Sequence, residues 1–403
     1  MDFDLTKRKT ESVLRKNIES GRIFYFLPAI YLVILLISKG LVHPSGYYRL
    51  HYLFTYDHGF LSRGLVGEVM SWFFDTITDR TIQYVVLGCS ILLAVAASLC
   101  FGRALSKLKV NTEQFNFAFM LMVVLLIMPT SFSLQFESVA LDKFIWATTV
   151  LAVFLSDFKI GVWFVPLMCV ISTLINPIYV FGSMILIAIV LLQRFYSEGF
   201  SFKLGLICFL SYAGIIITIL LSVGSTHSTG FADTNEMLDF YYQRFEGAPL
   251  SAAERKLFED EWLFEYFVSV EEVLRRSFSY YFKEWGFGIT VITYSLLIIL
   301  PFTVLLSYIW IKAIKNSEKK FQKFIYALCL IAPLLVIPET IIGWEIPRYF
   351  SDSLIVQLSL ILFFIANKNE GITEALNCVV QYFKQHRIML LIAVLHFSLW
   401  IVL

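Results

Sequence analysis

Residues 82–101, IQYVVLGCSILLAVAASLCF, contain no charged side chain. An α-helix needs about 20 predominantly apolar residues to cross the hydrocarbon core of a membrane, and this stretch has that length. Further apolar stretches recur along the chain, near 23–41, 115–131, 144–155, 202–223, 287–311, 324–342, 354–366 and 388–403. The fold is therefore predicted to be all-α, a polytopic transmembrane helical bundle.

The composition of the 403-residue chain supports a membrane protein. Hydrophobic residues make up 58% and charged residues only 16%, which a water-soluble domain of this size could hardly tolerate on its surface. The net charge of +1 does not indicate nucleic acid as a partner. All six cysteines lie in or beside apolar segments without a CxxC pair, which favours buried thiols over disulfides or a thiolate metal site. Residues 1–20 lack a signal-peptide pattern, so the first apolar segment is expected to remain as an anchor.

Two stretches depart from the simple pattern of spans. Residues 63–77 are amphipathic and too short to cross, so they are predicted to lie along or dip into the interface. Residues 161–192 are interrupted at Asn176-Pro177, which predicts two short helices meeting at a turn. With this pair, about eleven crossings are expected.

The distribution of Lys and Arg predicts the orientation of these spans. Basic residues cluster before the first span, after the second, and around 159, 194–203 and 312–323. By the positive-inside rule these loops and the N-terminus are cytoplasmic. The outward segments are then 42–81, 132–143, the turn at Asn176, 224–286 and 343–353.

Four regions follow from this topology. They are a cytoplasmic N-terminal segment (1–22), an N-terminal transmembrane region (23–223) that includes the outward loop 42–81, an extracytoplasmic helical loop (224–286) and a C-terminal transmembrane region (287–403). The loop 224–286 is too small for a separate domain and is expected to form a lid. Ser251-x-x-Glu254 and Ser269-x-x-Glu272 are capping boxes that predict two short helices within it.

The segment 56–64, YDHGFLSRG, is the main candidate for a site. Asp57 is the first candidate for a catalytic base, because a carboxylate at the membrane surface can accept a proton from an acceptor hydroxyl. The alternative is a turn residue before Gly59. His58 is a second catalytic candidate, with a hydrogen-bonded structural role as the alternative. The guanidinium of Arg63 is suited to bind the phosphate of a lipid carrier. The alternative is that this side chain only extends to the membrane interface.

The later outward loops add further candidates. Glu137 is a third catalytic candidate, beside Asp142, although helix-end solvation and pairing with Lys143 explain both acids as well. The substrate-binding candidates, in addition to Arg63, are Asn176, Arg275, Arg276, Glu345, Arg348 and Tyr349.

Different chemistry is expected of these substrate-binding candidates. Arg348 would complete a diphosphate clamp with the arginine of the first outward loop, and Tyr349 offers a surface for stacking a sugar ring. The pair Arg275 and Arg276 adds cationic groups to the lid or forms a solvated helix face. Asn176 supplies an amide to a cavity floor or marks a plain helix-breaking turn.

A short basic N-terminus, a first span, an outward loop with Asp57, an amphipathic segment and broken helices together resemble the GT-C class of polytopic glycosyltransferases. They are also similar to bacterial membrane enzymes of surface-polysaccharide assembly, including O-antigen polymerases. The resemblance implies a bacterial inner-membrane location, a catalytic acid at Asp57 and a sugar donor linked to polyprenyl phosphate. Asp57 is followed by His58 where a second acid would suit metal-dependent chemistry, so no metal is expected.

The first functional hypothesis is an enzyme that moves a sugar from this lipid-linked donor to a glycan or lipid acceptor on the extracytoplasmic face. Membrane lipids are the other expected partners, and the absence of Walker, dinucleotide, HExxH and GxSxG motifs predicts no cofactor. The alternatives are a transporter or flippase of a lipid-linked or amphipathic solute, and a non-catalytic assembly subunit. A transporter should carry ionisable groups in the middle of its spans, and the charges of this chain concentrate in loops.

Overall fold

The computed structural model describes residues 25–44, 46–108, 112–127, 135–136, 138–199, 201–226, 230–247, 250–259, 271–272, 275, 285–336 and 346–388. These residues form α-helices joined by short 3-10 helices and turns, and the described ranges contain no β-sheet. The predicted all-α class is confirmed.

The helices of the N-terminal half are α1 Leu27–Lys39, α2 Gly46–His51, α3 Gly64–Ser71, α4 Asp79–Leu105, α5 Glu113–Ile127, α6 Asp142–Ser156, α7 Val165–Ile175, α8 Ser183–Glu198 and α9 Phe202–Thr226. Those that follow are α10 Thr234–Tyr242, α11 Ala252–Leu257, α12 Trp285–Asn316, α13 Lys320–Ile331, α14 Ile346–Ala366 and α15 Glu370–Gln385.

Two helices of the described chain are long and apolar enough to cross a membrane alone, Asp79–Leu105 and Phe202–Ser222. A third span results if α14 and α15 are counted as one span, bent by 115° at the break between them. Other apolar helices are shorter, such as the 13-residue α1. Association with a membrane is thus supported, and the number of about eleven crossings stays a prediction.

The start of α4 illustrates how the sequence sets an element boundary. Thr78 has an extended backbone and its hydroxyl accepts a hydrogen bond from the Thr81 amide at 3.1 Å, which caps the helix. Asp79 in the first turn is favourable beside the positive end of the helix dipole. The 27 residues that follow extend for about 40 Å.

Helix α14 lies at the centre of the bundle, because every residue from 351 to 366 is buried. Helices α4, α6, α8 and α12 pack around it. Buried polar groups on such a helix require hydrogen-bond partners. Gln357 has them: its Nε2 donates to the Cys329 carbonyl at 2.7 Å, and its Oε1 accepts from Trp310 Nε1.

Two sequence predictions about the course of the chain are confirmed. Helix α7 ends at Ile175, Asn176 is extended with φ −160°, and a 3-10 helix begins at Pro177 before α8. In the lid, the Ser251 hydroxyl accepts from the Glu254 amide at 3.2 Å, and Glu254 Oε2 accepts from the Ser251 amide at 2.8 Å. The second capping box, at Ser269, lies outside the described residues.

Three helices differ from the sequence prediction. The amphipathic segment after Arg63 is helical only to Ser71, and α14 begins at Ile346 and not at 354. Helix α15 was not predicted, because the apolar residues of 370–385 lie on one face and do not form a continuous run. Its apolar face packs against α12 and α5, and the Asn369 side chain caps it by accepting from the Ile372 amide at 3.1 Å.

The carboxyl ends of α4, α6 and α14 meet at one end of the bundle around Asp157. Arg103 forms an ion pair with this carboxylate at 2.6 Å, and Asn367 Nδ2 donates to it at 2.9 Å. Gln322 Nε2 donates to Gln193 Oε1 at 3.0 Å and joins α13 to α8. The amino ends of α4, α6 and α14 consequently point to the other end of the bundle, the end at which the candidate site residues are found.

Candidate functional site

Asp57 lies on a tight turn that begins at Tyr56. The Gly59 amide donates to the Tyr56 carbonyl at 3.2 Å, and Gly59 has a φ of +107°, which an L-residue rarely adopts. The Thr55 hydroxyl donates to Asp57 Oδ2 at 2.6 Å, and the Asp57 side chain is exposed. Asp57 is therefore a turn residue, as the alternative proposed, and also a solvent-accessible carboxylate in a fixed position.

His58, the second catalytic candidate, packs between two phenylalanine rings. Its ring centroid lies 4.4 Å from that of Phe231 and 4.4 Å from that of Phe240. Both rings belong to the segment that covers this loop. These contacts are those of a packing residue, and they favour the structural alternative for His58.

Arg63 lies at the start of α3 and is directed into the protein. Its φ is +69°, an unusual backbone conformation for a residue with a side chain. Its guanidinium is half-buried, and Nη1 lies 3.4 Å from Nε2 of the buried His51. This position does not agree with a side chain that snorkels to the membrane interface.

Glu68 on α3 accepts a hydrogen bond from the Asp57 turn, a contact that the sequence did not predict. Its Oε2 accepts from the Tyr56 amide at 2.9 Å, and its Oε1 accepts from Trp72 Nε1 at 3.2 Å. The Tyr56 ring stacks on Phe60 with centroids 4.6 Å apart, and burial raises the pKa of its phenol, as does the charge of Glu68. An acid twelve residues after the turn has no local signal that predicts this contact.

Helix α10 and the residues after it cover the loop 42–81. Main-chain hydrogen bonds join Ile77 to Arg244 at 2.7 Å and Glu246 to Ile77 at 2.9 Å. Tyr241 donates its hydroxyl proton to the Thr55 carbonyl at 3.4 Å. Burial raises the pKa of Tyr241, and the negative charge of Asp57 adds to this effect, so the phenol stays a donor.

Arg49 also joins the loop 42–81 to the start of α4 and to the segment after α10. Arg49 Nε and Nη2 donate to the two carboxylate oxygens of Asp79 at 2.8 and 3.0 Å. The guanidinium carbon of Arg49 lies 4.4 Å from the centroid of the Phe245 ring. The turn that carries Asp57 is thus fixed from three sides.

A second polar arrangement, the buried polar centre, lies where α6 and α14 begin. It consists of Gln135, Asp142, Lys143, Trp146 and Asp352, all of them buried. Asp352 Oδ1 accepts from Trp146 Nε1 at 2.6 Å and from Gln135 Nε2 at 3.3 Å. Lys143 is fully buried and donates to the Phe136 carbonyl at 3.3 Å.

A small cavity of about 10 Å³ opens among these residues, lined by Asp142 and Asp352 together with Tyr179 and Ser183 from the broken helix. This is the volume of about one water molecule. Two carboxylates in a low-dielectric interior are stable only when hydrogen bonds or a counter-charge compensate for the lost solvation. The centre can hold a water molecule or a proton, and it has no room for a sugar.

The two arrangements are connected. Tyr52, just before the turn, donates its hydroxyl proton to the Val139 carbonyl at 2.6 Å, in the segment that leads to Asp142. Helix α3 also packs against α7, and the buried Asn176 directly follows the last residue of α7. Asn176 does not itself line the cavity, but the turn it begins supplies the residues that do.

The remaining candidates are placed as follows. Glu137, Arg276 and Glu345 lie outside the described residues. Arg348 and Tyr349 belong to the first turn of α14, but the structure describes only their backbones.

Arg275 on the lid is 74% exposed and forms a two-point ion pair with Glu272, three residues earlier, at 2.7 and 2.9 Å. These hydrogen bonds raise the pKa of Arg275. Its environment is that of a solvated helix face, the alternative considered for this residue.

The sequence contained one signal that would have found part of the buried centre. Asp352 lies at the edge of an apolar stretch, and an acid there requires a partner or a cavity. The predicted span began at 354 and left Asp352 in a loop. Its partners, Trp146 and Gln135, lie more than 200 positions away, and no local pattern connects them.

Comparison with the known protein families, with curated proteins and with solved structures finds no match for this chain.

Proposed function

We propose that this protein is a multi-pass membrane protein with about eleven crossings and a cytoplasmic N-terminus. The distribution of polar contacts supports this topology. The predicted cytoplasmic loops near Arg103 and Asp157 meet at one end of the bundle, where Asn367 also contacts Asp157, and the predicted outward segments near Asp79 and Asp142 lie toward the other end. Reporter fusions after each predicted span would test the alternation, and a reporter at residue 240 that is active in the cytoplasm would contradict it.

We propose further that the protein transfers a sugar from a polyprenyl-phosphate-linked or polyprenyl-diphosphate-linked donor to an acceptor on the extracytoplasmic face. The observation that carries this proposal is the position of Asp57, an exposed carboxylate on a turn fixed by Thr55, Glu68 and the covering helix α10. A base positioned in this way can act on an acceptor without losing entropy in the reaction.

In the proposed step, Asp57 accepts the proton of an acceptor hydroxyl while that oxygen forms a bond to the anomeric carbon of the donor. The bond between this carbon and the phosphate oxygen breaks, and the phosphate leaves with the electron pair. Arg63 directly precedes α3 and Arg348 lies in the first turn of α14, and both would stabilise the charge on the departing phosphate.

The test compares two variants of the same loop in membranes supplied with a lipid-linked sugar donor. Asp57→Asn keeps the side-chain volume and the acceptor for Thr55 but removes the base, so the transfer rate should fall about 100-fold or more. Asp75→Asn makes the same change at another exposed acid of the loop and should leave the rate unchanged. A normal rate for folded Asp57→Asn would refute the assignment.

A second candidate function, transport or flipping of a lipid-linked or amphipathic solute, is favoured by the buried polar centre. Asp142, Lys143 and Asp352 are ionisable groups inside the bundle, where a transporter needs them. Translocation of a fluorescent lipid-linked sugar in vesicles, lost in Asp352→Asn and retained in Asp57→Asn, would favour this function. The opposite pattern, with transfer activity lost only in Asp57→Asn, would favour the enzyme.

A further inference from the structure

A cavity of about 260 Å³ opens between α1 and α4, apart from the Asp57 turn. Its walls are mostly aliphatic: α1 contributes Leu32, Leu35 and Leu36, and α4 contributes Val86 and Leu87. Cavities that enclose a whole small-molecule ligand usually measure about 300–1,000 Å³. This cavity is therefore large enough for one end of an amphipathic molecule.

The mouth of the cavity is polar and positively charged. Lys39 ends α1, and the exposed His43 follows four residues later. Gln83 of α4 faces His43, with Nε2 at 2.9 Å from Nδ1. None of the described residues that line the cavity is acidic. The arrangement suits a negatively charged group at the mouth.

A second positive charge lies behind the wall of the cavity. Ser90 lines it, and its hydroxyl oxygen accepts a hydrogen bond from Lys143 Nζ at 2.9 Å. Lys143 is fully buried, so water screens its charge less than that of a surface lysine. The apolar walls and the two lysines together favour an occupant with an anionic head and a hydrocarbon body.

We propose that this cavity binds one anionic phospholipid, with the phosphate diester beside Lys39 and the start of an acyl chain among the leucines. The rest of the chain would extend from the cavity into the hydrocarbon of the membrane. A free phosphate ion would gain nothing from these apolar walls. The proposal rests on the membrane location of the protein and not on sugar transfer.

Native mass spectrometry of the protein in a neutral detergent tests the proposal. Phosphatidylglycerol should be retained as a single adduct, whereas phosphatidylethanolamine should bind more weakly because it carries no net charge. Lys39→Gln should lower the affinity for phosphatidylglycerol about fivefold, as expected for the loss of one lysine at an anionic group. Lys315→Gln removes an exposed lysine at the end of α12 and should bind as the wild type does.

Several outcomes would overturn the proposal. They are equal retention of the two lipids, equal affinities of Lys39→Gln and Lys315→Gln, and displacement of the lipid by millimolar inorganic phosphate. Leu36→Trp, which fills the cavity without a change of charge, should also reduce binding, and normal binding by this variant would contradict the location. Asp57→Asn should bind the lipid normally, so failure of this proposal and failure of the proposed sugar transfer are distinguishable.

Discussion

Replacing Gly67 with alanine tests whether the Asp57 turn is packed against α3 as closely as the structure indicates. A Cβ atom on Gly67 would lie 2.1 Å from the carbonyl oxygen of Phe54 and 2.9 Å from that of Tyr52. Both atoms belong to the backbone, so no side-chain rotation can relieve the contact. Helix α3 and the segment before the turn would have to separate by about 1 Å or more to restore van der Waals distance.

Two effects of opposite sign decide the stability of Gly67→Ala. Helix propensity alone favours alanine over glycine by about 1 kcal/mol. Overpacking in a close contact costs about 1–3 kcal/mol. Separation also strains the hydrogen bond from the Tyr56 amide to Glu68, and such a bond contributes about 1 kcal/mol. The packing cost should prevail, with a net destabilisation of about 1–3 kcal/mol.

Gly88 provides the matched control, since it lies inside α4 and a Cβ there would meet nothing within 4 Å. Gly88→Ala should therefore be neutral or slightly stabilising.

The unfolding of both variants can be followed in detergent with a thiol-reactive dye, because Cys89, Cys169 and Cys329 are free and buried until the protein unfolds. The apparent Tm of Gly67→Ala should be a few degrees below that of Gly88→Ala. Sugar transfer should fall with it, because the Asp57 turn moves. A Tm for Gly67→Ala equal to or above that of Gly88→Ala would refute the packing of α3 on the turn.

Three further predictions concern the buried centre and the lid. Trp146→Phe removes the donor to Asp352 and should destabilise the protein by about 1–3 kcal/mol, while the exposed Trp163→Phe should leave the apparent Tm unchanged; equal values would contradict the bond. Ser251→Ala should weaken the cap of α11 by about 1 kcal/mol, seen as faster hydrogen exchange at residues 252–257. Hydrogen bonds from the Ser251 amide and, to a smaller extent, from the Ser251 hydroxyl lower the pKa of the Glu254 carboxyl group. The stabilisation of α11 by this cap is therefore fully present above the ordinary carboxyl pKa, and it is lost as the pH falls through the lowered pKa. Exchange that is independent of pH after correction for the chemical rate would contradict this coupling.

The sequence predicted those features of the candidate site that depend on neighbouring residues. The turn at Asp57 was considered because Gly59 follows it, and Arg63 was correctly expected at the start of a helix. The partners of these residues were not predicted. His58 packs between Phe240 of α10 and Phe231, which precedes α10. A sequence pattern does not indicate which distant segment covers a loop.

The sequence by itself determined the all-helical class, the break at Asn176 and the capping box at Ser251. These features depend on hydropathy, on the missing amide proton of proline and on hydrogen bonds within four residues, and all of them act locally. Only the tertiary structure decided that Asp352 is buried against Trp146, and that the cavity beside α1 has a second lysine behind its wall. Contacts of this kind depend on which helices pack together, and packing is determined by the shapes and buried areas of whole helix faces.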